Sequence, residues 1–220
     1  MDEVRNWVFD LDDTLYAERD YVRSALVYVG AEVERLYGIN EFSKILLMLS
    51  AQRYPDPIAQ AWSQYALPEA ERSAIIVAMR AHAPQIFLSE GARAVLAHLR
   101  QQKRPYAIVT DGRSITQRAK IEALGCRDAA FVSVSEEVGL SKVDPARFAA
   151  VTEALGPGSC CYVGDNPAKD FVGPKHLGWK TVMLLHREQG VHEQNLPDDP
   201  AYHPDRIVLD LRELLNPNAT

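Results

Sequence analysis

Asp10-Leu11-Asp12-Asp13-Thr14 follows directly on the apolar run Trp7-Val8-Phe9. Three carboxylates within four positions repel one another and resist desolvation, so they call for a compensating cation, of which Mg²⁺ is the natural candidate. Further polar sets stand at or beyond the ends of other strand-like runs: Thr110-Asp111-Gly112, Lys142 within Ser141-Lys142-Val143-Asp144-Pro145, and Asp165 with Asp170 in Gly164-Asp165-Asn166-Pro167-Ala168-Lys169-Asp170. Gathered in one crevice, these residue types suit phosphoryl transfer. Asp10 is the candidate nucleophile, attacking phosphorus in line to give an aspartyl-phosphate. Asp12 is the candidate general acid/base, protonating the leaving oxygen and then deprotonating the attacking water. Asp10, the backbone carbonyl of Asp12 and Asp165 are the expected Mg²⁺ ligands, with Asp170 behind them orienting a water or Lys142. Thr110, the N–H groups of Asp111 and Gly112, and Lys142 are expected to bind phosphate oxygens and neutralise their charge.

Such a crevice requires strands whose carboxyl ends lie side by side. Short β-branched runs at residues 6–10, 105–110, 130–134, 160–164 and 180–185 alternate with helical patterns at 91–102, 114–124, 144–155 and 168–177. That alternation predicts an α/β fold with a parallel sheet and crossover helices. Between Thr14 and about Ser89 the pattern changes: no strand-like run appears, and apolar residues recur at helical spacing through 21–37, 42–52 and 69–83. This is read as an α-helical insert at residues 16–88, interrupted by Tyr54-Pro55-Asp56-Pro57, leaving residues 1–15 and 89–220 as the core. Residues 186–205 read as a long polar loop before a short closing segment at 206–215.

Together the motifs resemble those of the haloacid dehalogenase superfamily, whose four motifs match at Asp10 to Thr14, Thr110, Lys142, and Asp165 with Asp170. The resemblance spans nearly the whole chain. It implies a Rossmann-like core, an α-helical (C1-type) cap formed by the insert, and Mg²⁺-dependent phosphatase activity. Phe171-Val172-Gly173 after Asp170 looks like the form of that branch. Val143 departs from it where many relatives carry proline, as do Pro174-Lys175-His176 where small residues are usual. Asp12 argues against dehalogenase chemistry, which needs no acid for the leaving group. A phosphomutase using the same two aspartates is the alternative within the family. Outside it stand a catalytically silent binding protein on the same fold and a phosphoryl-receiver domain, whose acceptor aspartate belongs after a later strand.

The expected substrate is a small phosphorylated metabolite, such as a phosphosugar, polyol phosphate, phosphoglycolate or nucleotide monophosphate. Among insert residues near the first motif, Arg19 is the candidate substrate contact, against the plainer reading of a charged helix start. Tyr54, Trp62 and Tyr65 read as the insert's own core rather than a pocket. With 220 residues, 47% hydrophobic and 25% charged, the composition is that of an ordinary soluble protein. Its net charge of −6 argues against nucleic acid or an anionic membrane as partner. Met1-Asp2-Glu3-Val4-Arg5 has no features of a secretory signal, and Cys126, Cys160 and Cys161 form an odd set suited to reduced thiols. A cytoplasmic monomer or homodimer is expected. His82, His98 and His176 lack metal-ligand spacing and read as structural or surface residues, while His186, His192 and His203 sit in or beside the long loop, where a partner or substrate role is open but has no support in the sequence.

Overall fold

The structure, a computed structural model, describes residues 4–186 and 193–215. In chain order the elements are β1 (Asn6–Phe9), α1 (Glu18–Tyr37), α2 (Phe42–Ala51), α3 (Pro57–Gln64), α4 (Glu69–Arg80), α5 (Glu90–Gln101), β2 (Tyr106–Thr110), α6 (Ser114–Ala123), β3 (Phe131–Val134), α7 (Ser135–Val138), α8 (Pro145–Leu155), β4 (Cys160–Gly164), α9 (Val172–His176), β5 (Lys180–Leu184) and β6 (Arg206–Val208). The described residues divide into two compact units. One runs to Glu18 and resumes at Phe87; the other is Arg19–Ile86.

In the first unit all six strands are parallel, in the order β3-β2-β1-β4-β5-β6. The strands and helices alternate as the sequence pattern requires, and the closing segment supplies a sixth strand by pairing with β5 from Val182↔Arg206 to Leu184↔Val208. This strand has only three residues, too few for a period to be legible in the sequence. Val8, Val109 and Tyr162 present one sheet face to Phe148 and Val151 of α8 and to Trp179. The Phe148 ring stands edge-on to Tyr162 and Trp179 at centroid distances of 5.2 and 5.4 Å, a favoured aromatic geometry. Register matters more for the chemistry: Phe9 lies level with Ile108 on one side and Val163 on the other. The chain therefore leaves three adjacent strands within two residues of the same level, at Asp10, Thr110 and Gly164. The sheet order reverses direction between β1 and β4, the place where open parallel sheets form a crevice.

The second unit has its own core, built from Leu26, Val29 and Val33 of α1, Phe42, Leu46 and Leu49 of α2, Trp62 of α3 and Ile75 of α4. Trp62 is core, as expected, with its indole N–H donating to the Pro68 carbonyl at 3.0 Å. Tyr54 and Tyr65, expected in that core, are instead more than one-third exposed. Helix α3 lies where the sequence reading saw only an interruption. Asp56 caps it, accepting from Ala59 N–H at 2.8 Å, and Pro57 occupies its first turn. Proline at that position starts a helix, because the N–H it lacks would have had no partner there. The expected helix at 168–177 is also shorter. Asp170 Oδ2 accepts the backbone N–H groups of Asp165 (3.1 Å) and Asn166 (2.8 Å), so 165–170 folds as a turn and α9 begins only at Val172.

Among the described residues no helix is long and apolar enough to cross a membrane. All three cysteines are free and buried, and burial pushes the Cys161 thiol up to about 12.

Candidate active site

Asp10 extends the β1–β4 ladder by one bond, its N–H donating to the Val163 carbonyl at 2.8 Å. Its Oδ1 accepts from Leu11 N–H at 2.7 Å, which turns the carboxylate back over the strand end. Asp13 takes positive φ (50°) at the tip of the following turn, and its Oδ1 receives the N–H of Glu18, the first residue of α1. Asp13, which had no chemical assignment, thus fixes the exit of the chain into the helix.

Lys142, buried before α8, reaches both Asp10 Oδ1 (2.7 Å) and Asp170 Oδ1 (2.8 Å). Burial opposes its charge, yet those two carboxylates hold its pKa well above the ordinary lysine value. Two close approaches keep this pair in place. A Cβ on Gly164 would stand 2.4 Å from Asp170 Oδ2, and one on Gly173 would stand 2.4 Å from the Lys142 carbonyl oxygen. Any side chain at either position would displace the site. Val143, the departure after the lysine, is 39% exposed and leaves the amine undisturbed. Pro174, Lys175 and His176 lie in α9, where Lys175 Nζ donates to the His203 carbonyl at 2.6 Å and ties the helix to the segment before β6.

Carboxylate oxygens of Asp10, Asp165 and Asp170 lie within 4.8 Å of one another, all buried. Both oxygens of Asp170 are engaged, one by Lys142 and the other by backbone N–H groups. Asp165 Oδ2, by contrast, is buried with no hydrogen-bond partner. Burial, followed by the charges of Asp10 and Asp170, pushes the Asp165 carboxyl up to about 9. Burial also raises Asp10, although Lys142 pulls in the other direction. A buried carboxylate oxygen with no partner, set among three clustered acids, is the arrangement an oxygen-ligand cation site presents. The donor set fits a hard divalent ion.

Asp12, only two residues from Asp10, has different surroundings. Its Oδ1 accepts from Lys120 Nζ at 2.7 Å and from the Tyr16 hydroxyl, and its Oδ2 from Gln117 Nε2 at 2.8 Å. Gln117 Nε2 also donates to Thr110 Oγ1 at 2.5 Å. Gln117 and Lys120 were absent from the sequence-based site. Nothing in the sequence marks them: only in the fold is Ile115 of α6 52% exposed while Gln117 and Lys120 are buried beside Ile121, so that polar residues take the inward helix face.

Thr110, Asp111, Glu18, Asn166 and Lys169 complete the cavity around Asp10, Asp12, Lys142 and Asp165. The N–H of Gly112 is already given to Ser135 Oγ at 2.9 Å, so a phosphate contact from Gly112 would need that bond to open. Asp111 pairs with Arg147 and lies 3.4 Å from Lys169 Nζ. Burial pushes its pKa up, but Lys142, Arg147 and Lys169 outweigh that and hold it below the usual carboxylate range. Burial and the facing charges of Asp12 and Asp13 push Glu18 up to about 7. Arg147 was also missed in the sequence. From α8 its guanidinium donates to the carbonyls of Thr110 (2.5 Å), Ser133 (2.9 Å) and Leu140 (3.2 Å), and to Ser133 Oγ (3.0 Å). Arg147→Met leaves Asp111 and three carbonyls short of a donor at a buried position. A loss of about 3–5 kcal/mol is expected, read as a fall in Tm on the order of 10 °C. A fall of less than about 2 °C would show that the guanidinium does not hold the loop.

The described part of the long loop also reaches this end of the sheet. Gln194 Nε2 donates to the carbonyls of Asp165 (2.7 Å) and Leu184 (2.8 Å), and His186 Nε2 bonds to the Asp13 carbonyl. His203 donates to the Pro197 carbonyl at 2.7 Å, whereas His192 lies outside the described residues. Arg19 belongs to the helical unit and is exposed.

Residues 4–178 match the family model of haloacid dehalogenase-like hydrolases. The chain is 29% identical to a phosphoserine phosphatase of Thermus thermophilus, over 94% of this chain and 96% of that one. It is 27% identical to a glyceraldehyde 3-phosphate phosphatase of Methanopyrus kandleri, over 95% and 94% respectively. In fold it is similar to the magnesium-bound HAD-hydrolase YfnB of Bacillus subtilis, with a TM-score of 0.61 at 20% identity, covering 96% of this chain and 97% of that one.

Proposed function

Since the chain belongs to the haloacid dehalogenase-like hydrolases, we propose that it is a phosphatase that hydrolyses the phosphate monoester of a small metabolite through an aspartyl-phosphate on Asp10. The observation that carries this reading is the separation of Asp10 and Asp12 into unlike environments. Asp10 sits among acids and Lys142, whereas Asp12 sits among the donors Tyr16, Gln117 and Lys120. Two neighbouring carboxylates held in different surroundings can take different roles in one reaction.

In the first half-reaction an oxygen of Asp10 bonds to phosphorus as the bond to the substrate's leaving oxygen breaks, and Asp12 gives that oxygen a proton. In the second, Asp12 takes a proton from water while the water oxygen bonds to phosphorus and the Asp10–phosphorus bond breaks, releasing phosphate. Lys142 holds Asp10 in line and carries positive charge beside the phosphoryl oxygens. The Thr110 hydroxyl and the N–H of Asp111 bind those oxygens. Asp10, the Asp12 carbonyl and Asp165 would hold Mg²⁺, with Asp170 orienting the set through Lys142 and the backbone of Asp165. When bound, the ion offsets the repulsion between the Asp10 carboxylate and an anionic substrate.

The helical unit is proposed to act as the cap, with Arg19 contacting the substrate's leaving group. Arg19→Ala should then raise KM for the true substrate by about tenfold while leaving a generic aryl phosphate unaffected. An unchanged KM removes Arg19 from the binding set. The function itself is tested by phosphate release from a panel of phosphosugars, polyol phosphates, phosphoglycolate and nucleotide monophosphates, together with phosphoserine and glyceraldehyde 3-phosphate, with Mg²⁺ or EDTA. Release from at least one member, lost in EDTA, is the expected result; release insensitive to EDTA counts against the reading.

Metal binding should depend on pH in a defined direction. In the metal-free protein Asp165 is raised from 3.8 to about 9, so the folded chain holds a proton that the unfolded chain loses near pH 4. The stability from that proton is full below the unfolded pKa and is lost as pH rises toward 9. Mg²⁺ must displace the proton, so its affinity should climb over the same window, by up to about tenfold per pH unit for each proton released. Thermal melts with and without Mg²⁺ check this. The gain in Tm is expected to be larger at about pH 8.5 than at about pH 6, and a constant gain would show that no proton is displaced.

A further inference from the structure

Lys120 presents an energetic problem that the reaction as described does not resolve. Its residue is 3% exposed, on a helix face where Ile121 and Leu124 are also buried. A buried ammonium costs several kcal/mol of desolvation that an apolar side chain at the same place would not incur. What it meets there is Asp12: Nζ lies 2.7 Å from Asp12 Oδ1 and 6.0 Å from the centroid of the Tyr16 ring, whose hydroxyl donates to the same oxygen. One turn earlier on α6, Gln117 donates to Asp12 Oδ2. Residues at i and i+3 share a helix face, so a single rigid face of α6 presents donors to both oxygens of Asp12.

The orientation of Gln117 is settled by its partners. The opposite amide orientation would point Oε1 at the Asp12 carboxylate, so the NH₂ group must face it. The same NH₂ donates to Thr110 Oγ1 at 2.5 Å. Thr110 therefore accepts at that contact and keeps its own proton to donate elsewhere. Thr110 lines the cavity beside Asp10 and Lys142, where that proton serves a phosphoryl oxygen.

We propose that Lys120 and Gln117 are positioning residues for phosphoryl transfer: Lys120 aims the Asp12 carboxyl at the leaving oxygen, and Gln117 couples that aim to the donor direction of Thr110. The inference rests on the phosphatase reading above. A carboxylate held at both oxygens by three side chains keeps one direction, whereas a surface aspartate samples several rotamers. Misaim of a proton-transfer group by an ångström costs rate at the step that uses it and leaves ground-state binding intact.

The test is a double-mutant cycle on the full chain with Mg²⁺, combining Lys120→Met with Asp12→Ala. The substrates are the best alkyl phosphate of the panel and p-nitrophenyl phosphate, whose leaving group needs no proton. Lys120→Met is expected to lower kcat for the alkyl phosphate by about 30-fold or more while KM stays within about twofold. The first-turnover release of p-nitrophenol is expected to stay within about threefold of native. In the Asp12→Ala background the same substitution should cost less than about threefold, because the group it aims is gone. Equal losses on both substrates, or the same loss with and without Asp12, overturn the proposal. If a thermal melt shows that Lys120→Met does not fold, Lys120→Gln runs through the same cycle with the same expectations. A native chain that releases no phosphate from any substrate, or that does so without Asp10, defeats the phosphatase reading and this inference with it. Activity that depends on Asp10 but fails the cycle defeats this inference alone.

Discussion

Asp10→Asn is expected to suppress steady-state phosphate release by about 10⁴-fold or more, the scale on which loss of a nucleophile is felt. The amide keeps the shape of the carboxylate but supplies no anionic oxygen to attack phosphorus. The fold should survive. Asp10 lies among Asp165 and Asp170, and burial already raises its pKa, so losing its charge relieves repulsion at the same time as it removes one partner of Lys142. Lys142 retains Asp170 at 2.8 Å. A melt in EDTA should therefore place the variant within a few degrees of native, on the order of what one modest substitution does in a chain of this size. Substantial turnover by a well-folded Asp10→Asn protein would end the covalent mechanism. Acid quench of the native enzyme with ³²P-labelled substrate gives a direct check, because the label should appear on the chain and be absent from the variant.

The second large effect belongs to Asp12. Asp12→Ala should slow the first turnover of an alkyl phosphate by about 10²–10⁴-fold, the range that general acid catalysis supplies. An alkoxide is too basic to leave without a proton, whereas p-nitrophenolate leaves readily. With p-nitrophenyl phosphate the first burst of product should be nearly native, followed by slow turnover as the aspartyl-phosphate waits for a water that no base activates. Equal first-turnover losses for the two substrates would assign Asp12 a structural role only. Alanine also leaves Lys120 buried without its carboxylate, so the melt of this variant should fall, and Asp12→Asn serves as the control that retains a polar partner. The different expectations for the two aspartates follow from their neighbours. One acid shares Lys142 with Asp170, and the other accepts from Tyr16, Gln117 and Lys120.

Much of this site can be read locally. Asp10, Thr110 and Asp165 each stand where an apolar run stops, and a run's end marks a strand's carboxyl end whatever the rest of the chain does. Lys142 announces itself by preceding a capped helix start, with Asp144 accepting from Ala146 N–H and Pro145 in the first turn. Alternation of strand and helix sets the parallel sheet, because a parallel neighbour requires a crossover. The resemblance to a known family rested on the order of these motifs, and the match over residues 4–178 agrees with it.

Other features depended on what the folded chain brings together. Asp12 meets Lys120 across 108 residues and Gln117 across 105, and Asp111 meets Arg147 across 36. In the sequence each of these partners is an ordinary polar residue on a helix, with no spacing rule tying it to the first motif. The tetrapeptide before α3 reads as a break until Asp56 is seen capping the helix that Pro57 begins. Three-residue β6 is a strand only because β5 offers it an edge. The sequence by itself determined the fold class and the order along it of the candidate site residues, since both are expressed in local pattern. Only the tertiary structure decided how those residues are aimed, because the energy of a buried charge depends on which distant groups surround it in space.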